Sequence, residues 1–294
     1  MSRSGNPDLS ALTDLLALMV KLRDPVSGCP WDRVQTFQSL APYALEEAYE
    51  VVDAIESGGP AKLREELGDL LFQVVFHAQL AQERGWFDFN AIAQAIHDKL
   101  VRRHPHVFGA QAGASGSANT PGEVLVAWEE LKARERAAAA ADKDPSGTGV
   151  TAGVLAEVPR ALPALTRAQK LGKRAGRVGF DWTDMRDVRA KITEELAELD
   201  EAALEAREHA ADSAGPPAHL VEEMGDLLFA IANWGRHVGA DAESALRAAN
   251  AKFERRFASM ETLARERALA LTSLSLEAWE ALWQEAKRVE RGCP

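Results

Sequence analysis

The chain has 294 residues and a formal net charge of -11, enough length for about two domains and too acidic a balance for a duplex-DNA binder, which needs surplus Lys and Arg to neutralise phosphates. A hydrophobic share of 46% is ample for a packed core. Cys29 and Cys293 are too few for a disulfide framework, and neither a leader-like start nor 18 uncharged apolar residues occur in a row, so the expectation is a cytoplasmic protein with no membrane partner.

Apolar residues at helical spacing run from Leu9 to Arg23 and stop at Asp24-Pro25. The stretch SGCPWDRVQT then reads as a compact loop offering Trp31 beside Asp32. Helices are expected over about 42–55, with Pro42 near the start where its missing N–H costs nothing, and over about 61–84. The second turns almost wholly apolar after Asp69 (LLFQVVFHAQLA), which predicts burial against several neighbours, a second subunit among the candidates. A third helix spans 89–103 and ends at Pro105; residues 109–122 read as a mobile loop, 123–140 as helix, and 137–153 as frayed helix end plus linker. No strand-like alternation occurs, so the fold class expected is all-α.

From Val154 onward the first half is replayed in order. SGCPWD (27–32) corresponds to RVGFDW (177–182), EEAYE to EELAE, EELGDLLF (65–72) to EEMGDLLF (222–229), DKLVRR (98–103) to AKFERR (251–256), and VAWEELKARER (126–136) to EAWEALWQEAK (277–287). The expected domains are two tandem helical bundles, residues 1–136 and 154–294.

Within each copy, a Glu-x-x-Glu pair precedes a Glu-x-x-Asp pair: Glu47 and Glu50 before Glu66 and Asp69 in the first, Glu195 and Glu198 before Glu223 and Asp226 in the second. Residues three apart share a helix face, so a turn at Gly58, Gly59 and Pro60 brings four carboxylates to one spot. Like charges against an apolar run are costly unless neutralised. An all-oxygen set favours Mg2+, with Mn2+ as a substitute, over zinc. A di-iron carboxylate bundle would need Glu-x-x-His pairs, and the residues three after Glu66 and Glu223 are Asp69 and Asp226; His77, two turns further on in an apolar run, reads as a core residue.

These spacings, with GCPWD, ELGDLLFQ, RRHPHVF, VGFDW, EMGDLLFA and NAKFERRF, resemble the MazG-type nucleoside triphosphate pyrophosphohydrolases over nearly the whole chain. The resemblance implies an all-α fold that dimerises to complete its bundles, and Mg2+-dependent hydrolysis of nucleoside triphosphates of broad base range between the α and β phosphates. It implies eight metal ligands: Glu47, Glu50, Glu66 and Asp69, and Glu195, Glu198, Glu223 and Asp226. Glu46 and Glu194, each one residue before a ligand pair, are candidates for the base that orients the attacking water. Lys99, Arg102 and Arg103, with Lys252, Arg255 and Arg256, are candidates for gripping phosphates. Trp31 and Trp182 offer rings that either stack on a base or pack in the core.

The copies differ. Asn233 and Asn250 stand where the first copy has Phe76 and His97, and Ala251 where it has Asp98. Both amides are candidate substrate contacts, which makes the second copy the expected principal site. The competing reading is a non-catalytic scaffold in which metal serves only stability. A γ-phosphate hydrolase is disfavoured by the absence of a GxxxxGK[ST] loop.

Overall fold

The computed structural model describes residues 8–109, 153–156, 158–208 and 215–291, together with positions 120, 122–124, 127, 128, 131 and 135. Among the described residues every regular element is helical. Most of the expected loop at 109–122 and all of the expected linker at 137–153 except Gly153 lie outside them. The chain divides into two compact units, residues 1–141 and 142–294.

The first unit contains α1 (Ser10–Leu22), α2 (Pro30–Val34), α3 (Phe37–Ser57), α4 (Pro60–Glu83), α5 (Phe89–Arg103) and the single turn α6 (Pro105–Phe108). Local chemistry sets the ends. Thr36 and Ser39 form a reciprocal capping box at the start of α3, satisfying two otherwise orphaned donors. This start lies five residues before the expected one, so Pro42 sits inside α3, where it costs one backbone hydrogen bond instead of none. The short α2 likewise replaces part of the expected loop, begun by Pro30 at a position that needs no N–H. Asp88 caps α5 by accepting from the Ala91 N–H at 2.8 Å.

A two-residue connection, Gly58 and Gly59, turns the chain from α3 into α4. A Cβ at Gly58 would come within 2.6 Å of the Ala54 carbonyl oxygen, so this tight exit excludes any other residue without movement. Helix α4 packs mainly on α3 and also meets α1 and α5. Met19, Leu40, Val75, Phe76 and Leu80 form the buried centre, with Leu15, Leu16, Phe37, Phe72 and Phe89 around it. Arg23 of the loop after α1 clamps Glu83 of α4 through two bonds of 2.7 and 2.6 Å. His77 stacks on Phe37 at 5.6 Å, and burial lowers its pKa, as suits a core histidine.

The second unit contains α7 (Ala164–Gly176), α8 (Met185–Glu208), α9 (Ala218–His237), α10 (Ala242–Glu266), a 3-10 turn (Leu271–Ser273) and α11 (Leu276–Glu290). Helix α9 packs on α8 and α7, and α10 on α11. The cluster of Met260, Ala264, Leu282 and Ala286, with Phe257, Trp279 and Trp283 against it, joins α10 to α11.

The structure shifts the repeat by one helical turn at its end. Trp128 donates its indole N–H to the Arg103 carbonyl at 2.8 Å, and Glu135 pairs with Arg102 and Arg103. Trp283 lies against Arg256, 5.5 Å from guanidinium carbon to ring centre, and Glu290 pairs with Arg255 and Arg256. Trp128 therefore corresponds to Trp283 and Glu135 to Glu290, whereas the sequence match had set Trp128 against Trp279.

Candidate metal centres

Helices α3 and α4 bring Glu47, Glu66 and Asp69 together, each offering an oxygen within 4.8 Å of the others; α8 and α9 do the same with Glu195, Glu223 and Asp226. The local cause is the shared face of residues three apart, doubled by the α3–α4 and α8–α9 pairing. Six of the eight carboxylates singled out by spacing thus fall into two matching triads. Glu50 and Glu198 complete the groups through their fields. Glu50 adds negative charge beside both Glu47 and Glu66, while Glu198 feels Glu195 and Glu223.

Carboxylates crowded together and withdrawn from water have raised pKa values in both units. Desolvation, then Asp69 and Glu50, raise the pKa of Glu47. Desolvation, then Glu50, raise that of Glu66, which is only 9% exposed. In the second unit, desolvation, then Glu195, raise that of Glu198. Repulsion of this kind is what a bound cation removes.

The units differ in the cation each supplies for itself. Lys191, one turn before Glu195, places its ammonium 2.7 Å from Glu195 and 3.0 Å from Glu194, and these bonds raise its pKa, Glu195 first. His219, one turn before Glu223, lies 3.3 Å from it. In the first unit Lys62, one turn before Glu66, works against the rise at Glu66; Tyr43 stands one turn before Glu47 where Lys191 stands before Glu195. Sequence reasoning overlooked these basic groups, although their spacing of four residues from a ligand carboxylate was a usable signal.

The two candidate bases, Glu46 and Glu194, are exposed beside their triads. Among the cations, Lys99 and Lys252 are exposed and make no hydrogen bond or ion pair among the described residues. The arginines are held: Arg102 and Arg103 by Glu135, whose pKa those bonds, Arg103 first, pull down to about 2, and Arg255 and Arg256 by Glu290. Trp31 and Trp182 are both partly open, at 49% and 38% exposure, and Trp31 meets Tyr43 edge-on at 6.1 Å.

Asn233 departs from expectation. It is 2% exposed, and its carbonyl oxygen accepts from Arg236 Nε at 2.8 Å. Arg236 in turn clamps Asp181 through bonds of 2.9 and 2.6 Å, and Asp181 accepts the Trp182 backbone N–H at 3.0 Å. Asn233 therefore braces the loop before α8 and is not an open substrate contact. Its counterpart Phe76 is a core residue too, so that difference between the copies concerns packing. Asn250 remains exposed on α10, while its counterpart His97 bonds Asp98 at 3.0 Å.

Residues 35–108 match the model of the MazG nucleotide pyrophosphohydrolase domain. The chain is 51% identical over 282 residues to the nucleoside triphosphate pyrophosphohydrolase of Escherichia coli (strain K12), covering 96% of this chain and 99% of that protein. It is 42% identical to the nucleoside triphosphate pyrophosphohydrolase/pyrophosphatase MazG of Thermotoga maritima, covering 93% of this chain and 94% of that protein. A nucleoside triphosphate pyrophosphohydrolase of Mycolicibacterium smegmatis is 42% identical over 58% of this chain and 47% of its own length.

Proposed function

The chain belongs to the MazG family of nucleoside triphosphate pyrophosphohydrolases, and from that premise we propose that it hydrolyses nucleoside triphosphates between the α and β phosphates, giving monophosphate and pyrophosphate with Mg2+ as cofactor. The observation that carries this reading is the pair of matching carboxylate triads, each with oxygens inside 4.8 Å. Their all-oxygen donor sets fit Mg2+ or Mn2+, and the raised pKa values of Glu47, Glu66 and Glu198 support a cation as the missing partner. Glu47, Glu66 and Asp69, with Glu50, would hold it in the first unit; Glu195, Glu223 and Asp226, with Glu198, in the second. Bound there, it would supply charge neutralisation to the phosphates and acidify a water.

The remaining chemistry falls to the chain's own groups. Phosphoryl transfer to water needs in-line placement and electrostatic stabilisation more than covalent participation. Glu194 or Glu46 orients the water and accepts its proton. Lys252, Arg255 and Arg256, or Lys99, Arg102 and Arg103, grip phosphate oxygens, and the open Trp182 and Trp31 rings stack on a base, which tolerates several bases. The second unit is proposed as the principal site because Asn250 stays exposed on α10 beside Lys252, whereas its counterpart His97 is bonded to Asp98.

A homodimer is part of the proposal. Leu67, Leu71 and Val74 on α4, and Met224, Leu228 and Ile231 at the corresponding positions of α9, are each 38 to 48% exposed. Both stripes sit on the helices that carry the carboxylates, and a repeated apolar stripe suits helix packing with a second copy. The Thermotoga relative's name also includes pyrophosphatase, and a second triad leaves room for cleavage of the pyrophosphate product in the first unit.

Turnover of Glu195→Gln and Glu47→Gln proteins tests the assignment. Loss of monophosphate release with Glu195→Gln alone supports the second unit. Loss with Glu47→Gln alone reverses it, and unimpaired release from both variants removes the triads from the mechanism.

A further inference from the structure

Of the arginines proposed to grip phosphates, Arg103 and its counterpart Arg256 have side chains only 18% and 15% exposed, and the way each is held differs between the units. In the second unit, Arg256 donates from Nε to Glu290 at 2.7 Å, and among the described residues neither of its terminal nitrogens donates to any protein group. The side chain is 15% exposed and lies over the Trp283 ring, so both its position and its plane are set. A cavity of about 220 Å3 opens beside it, lined by Arg255, Arg256, Ser259 and Glu290 among others. In the first unit, Glu135 takes Arg103 through both Nε and a terminal nitrogen, and takes Arg102 through Nε at 2.8 Å.

A guanidinium has five donors in a rigid fork, and a carboxylate on its Nε edge leaves the terminal edge open for a second anion. We propose that Glu290 is a positioning residue that anchors Arg256 by Nε and presents both terminal nitrogens to the phosphates of the substrate. This rests on the reading of Arg256 as a phosphate-gripping group. Anchoring limits the rotamer freedom that a long cation otherwise loses on binding, so the gain appears in substrate affinity. In the first unit the side-on hold on Arg103 leaves a single terminal nitrogen, which matches a weaker or differently directed site.

The test uses the full chain and four proteins: wild type, Glu290→Gln, Arg256→Gln and the double variant. Two quantities are read, KM for a nucleoside triphosphate with Mg2+ and Kd for its non-hydrolysable α,β-methylene analogue. Glu290→Gln is expected to raise both about tenfold with kcat within about twofold. Because Glu290 acts through Arg256, the double variant is expected to match Arg256→Gln. Should Glu290→Gln not fold, Glu290→Asp, which keeps the charge and shortens the reach, is expected to raise KM at least about threefold. The proposal is overturned if the Glu290 substitution exerts its full effect in the Arg256→Gln background, or if it lowers kcat at unchanged KM. Arg256→Gln with unchanged KM and Kd overturns the phosphate role of Arg256 itself, and the proposal with it.

Discussion

Replacing Lys191 with Met tests whether the second triad is a cation site occupied at rest by an ammonium group. Lys191 lies 2.7 Å from Glu195, whose side chain is 7% exposed against 35% for the lysine. A divalent cation that takes Glu195 has to break this pair, worth about 1 kcal/mol for a partly exposed ion pair. Methionine preserves most of the apolar stem and removes the competitor. Metal binding at that triad should therefore tighten about fivefold, since about 1.4 kcal/mol corresponds to tenfold. The first unit, with Tyr43 at the equivalent place, should be unaffected. Calorimetric titration of Mg2+ or Mn2+ into nucleotide-free protein measures both. As a cross-check, Mg2+ at a hundredfold excess over Kd stabilises a binding unit by about 2.7 kcal/mol, or roughly 5 to 11 °C in Tm for a domain near 150 residues. Unchanged or weaker metal binding in Lys191→Met would refute the competition argument.

Three other outcomes are expected. Gly172→Ala places a Cβ 2.5 Å from the Asn233 side-chain oxygen and 3.3 Å from Arg236 Nε; prising that bond open should cost about 1 to 3 kcal/mol, measured by urea unfolding, and a neutral result would mean the loop brace does not matter. In chelator, Glu47, Glu66 and Glu198 have folded pKa values above the ordinary 4.5, so the folded state binds more protons than the unfolded one above that pH. Their contribution is greatest below about pH 4.5 and is lost as pH rises through the folded values, so the Tm gap between Mg2+ and chelator should widen from pH 4.5 to 7; a constant gap contradicts this. Leu228→Arg puts a charge into the apolar stripe of α9 and should convert dimer to monomer in light scattering; a wild type that is already monomeric at high concentration removes the homodimer from the account.

Much of the site was readable because its determinants are local. Glu47 with Glu50 and Glu66 with Asp69 are pairs three residues apart, and spacing alone puts each pair on one face. The Gly58-Gly59-Pro60 break supplied the turn. Harder to read were features set by which face of a helix is buried. Asn233 looked available for substrate because nothing in its neighbours along the chain shows that it faces α7 and bonds Arg236. The start of α3 was misplaced because Pro42 is a louder signal than the Thr36–Ser39 capping box. The one-turn shift at the end of the repeat has a similar cause. EAWEALW holds two tryptophans four residues apart, and the first resembles the Trp128 surroundings in sequence while the second, Trp283, occupies the equivalent place against arginine. Glu135 and Glu290 were missed with it, since their meaning depends on arginines 32 to 35 residues away.

The central claim is the bond that breaks. Incubating the protein with a nucleoside triphosphate, with Mg2+ and separately with chelator, and resolving all phosphorus-containing products tests it directly. The account predicts nucleoside monophosphate in the Mg2+ sample and none in chelator, with pyrophosphate released in equal amount at early times and no nucleoside diphosphate at any time. Nucleoside diphosphate with one orthophosphate would contradict it, as would monophosphate that accumulates equally without the metal.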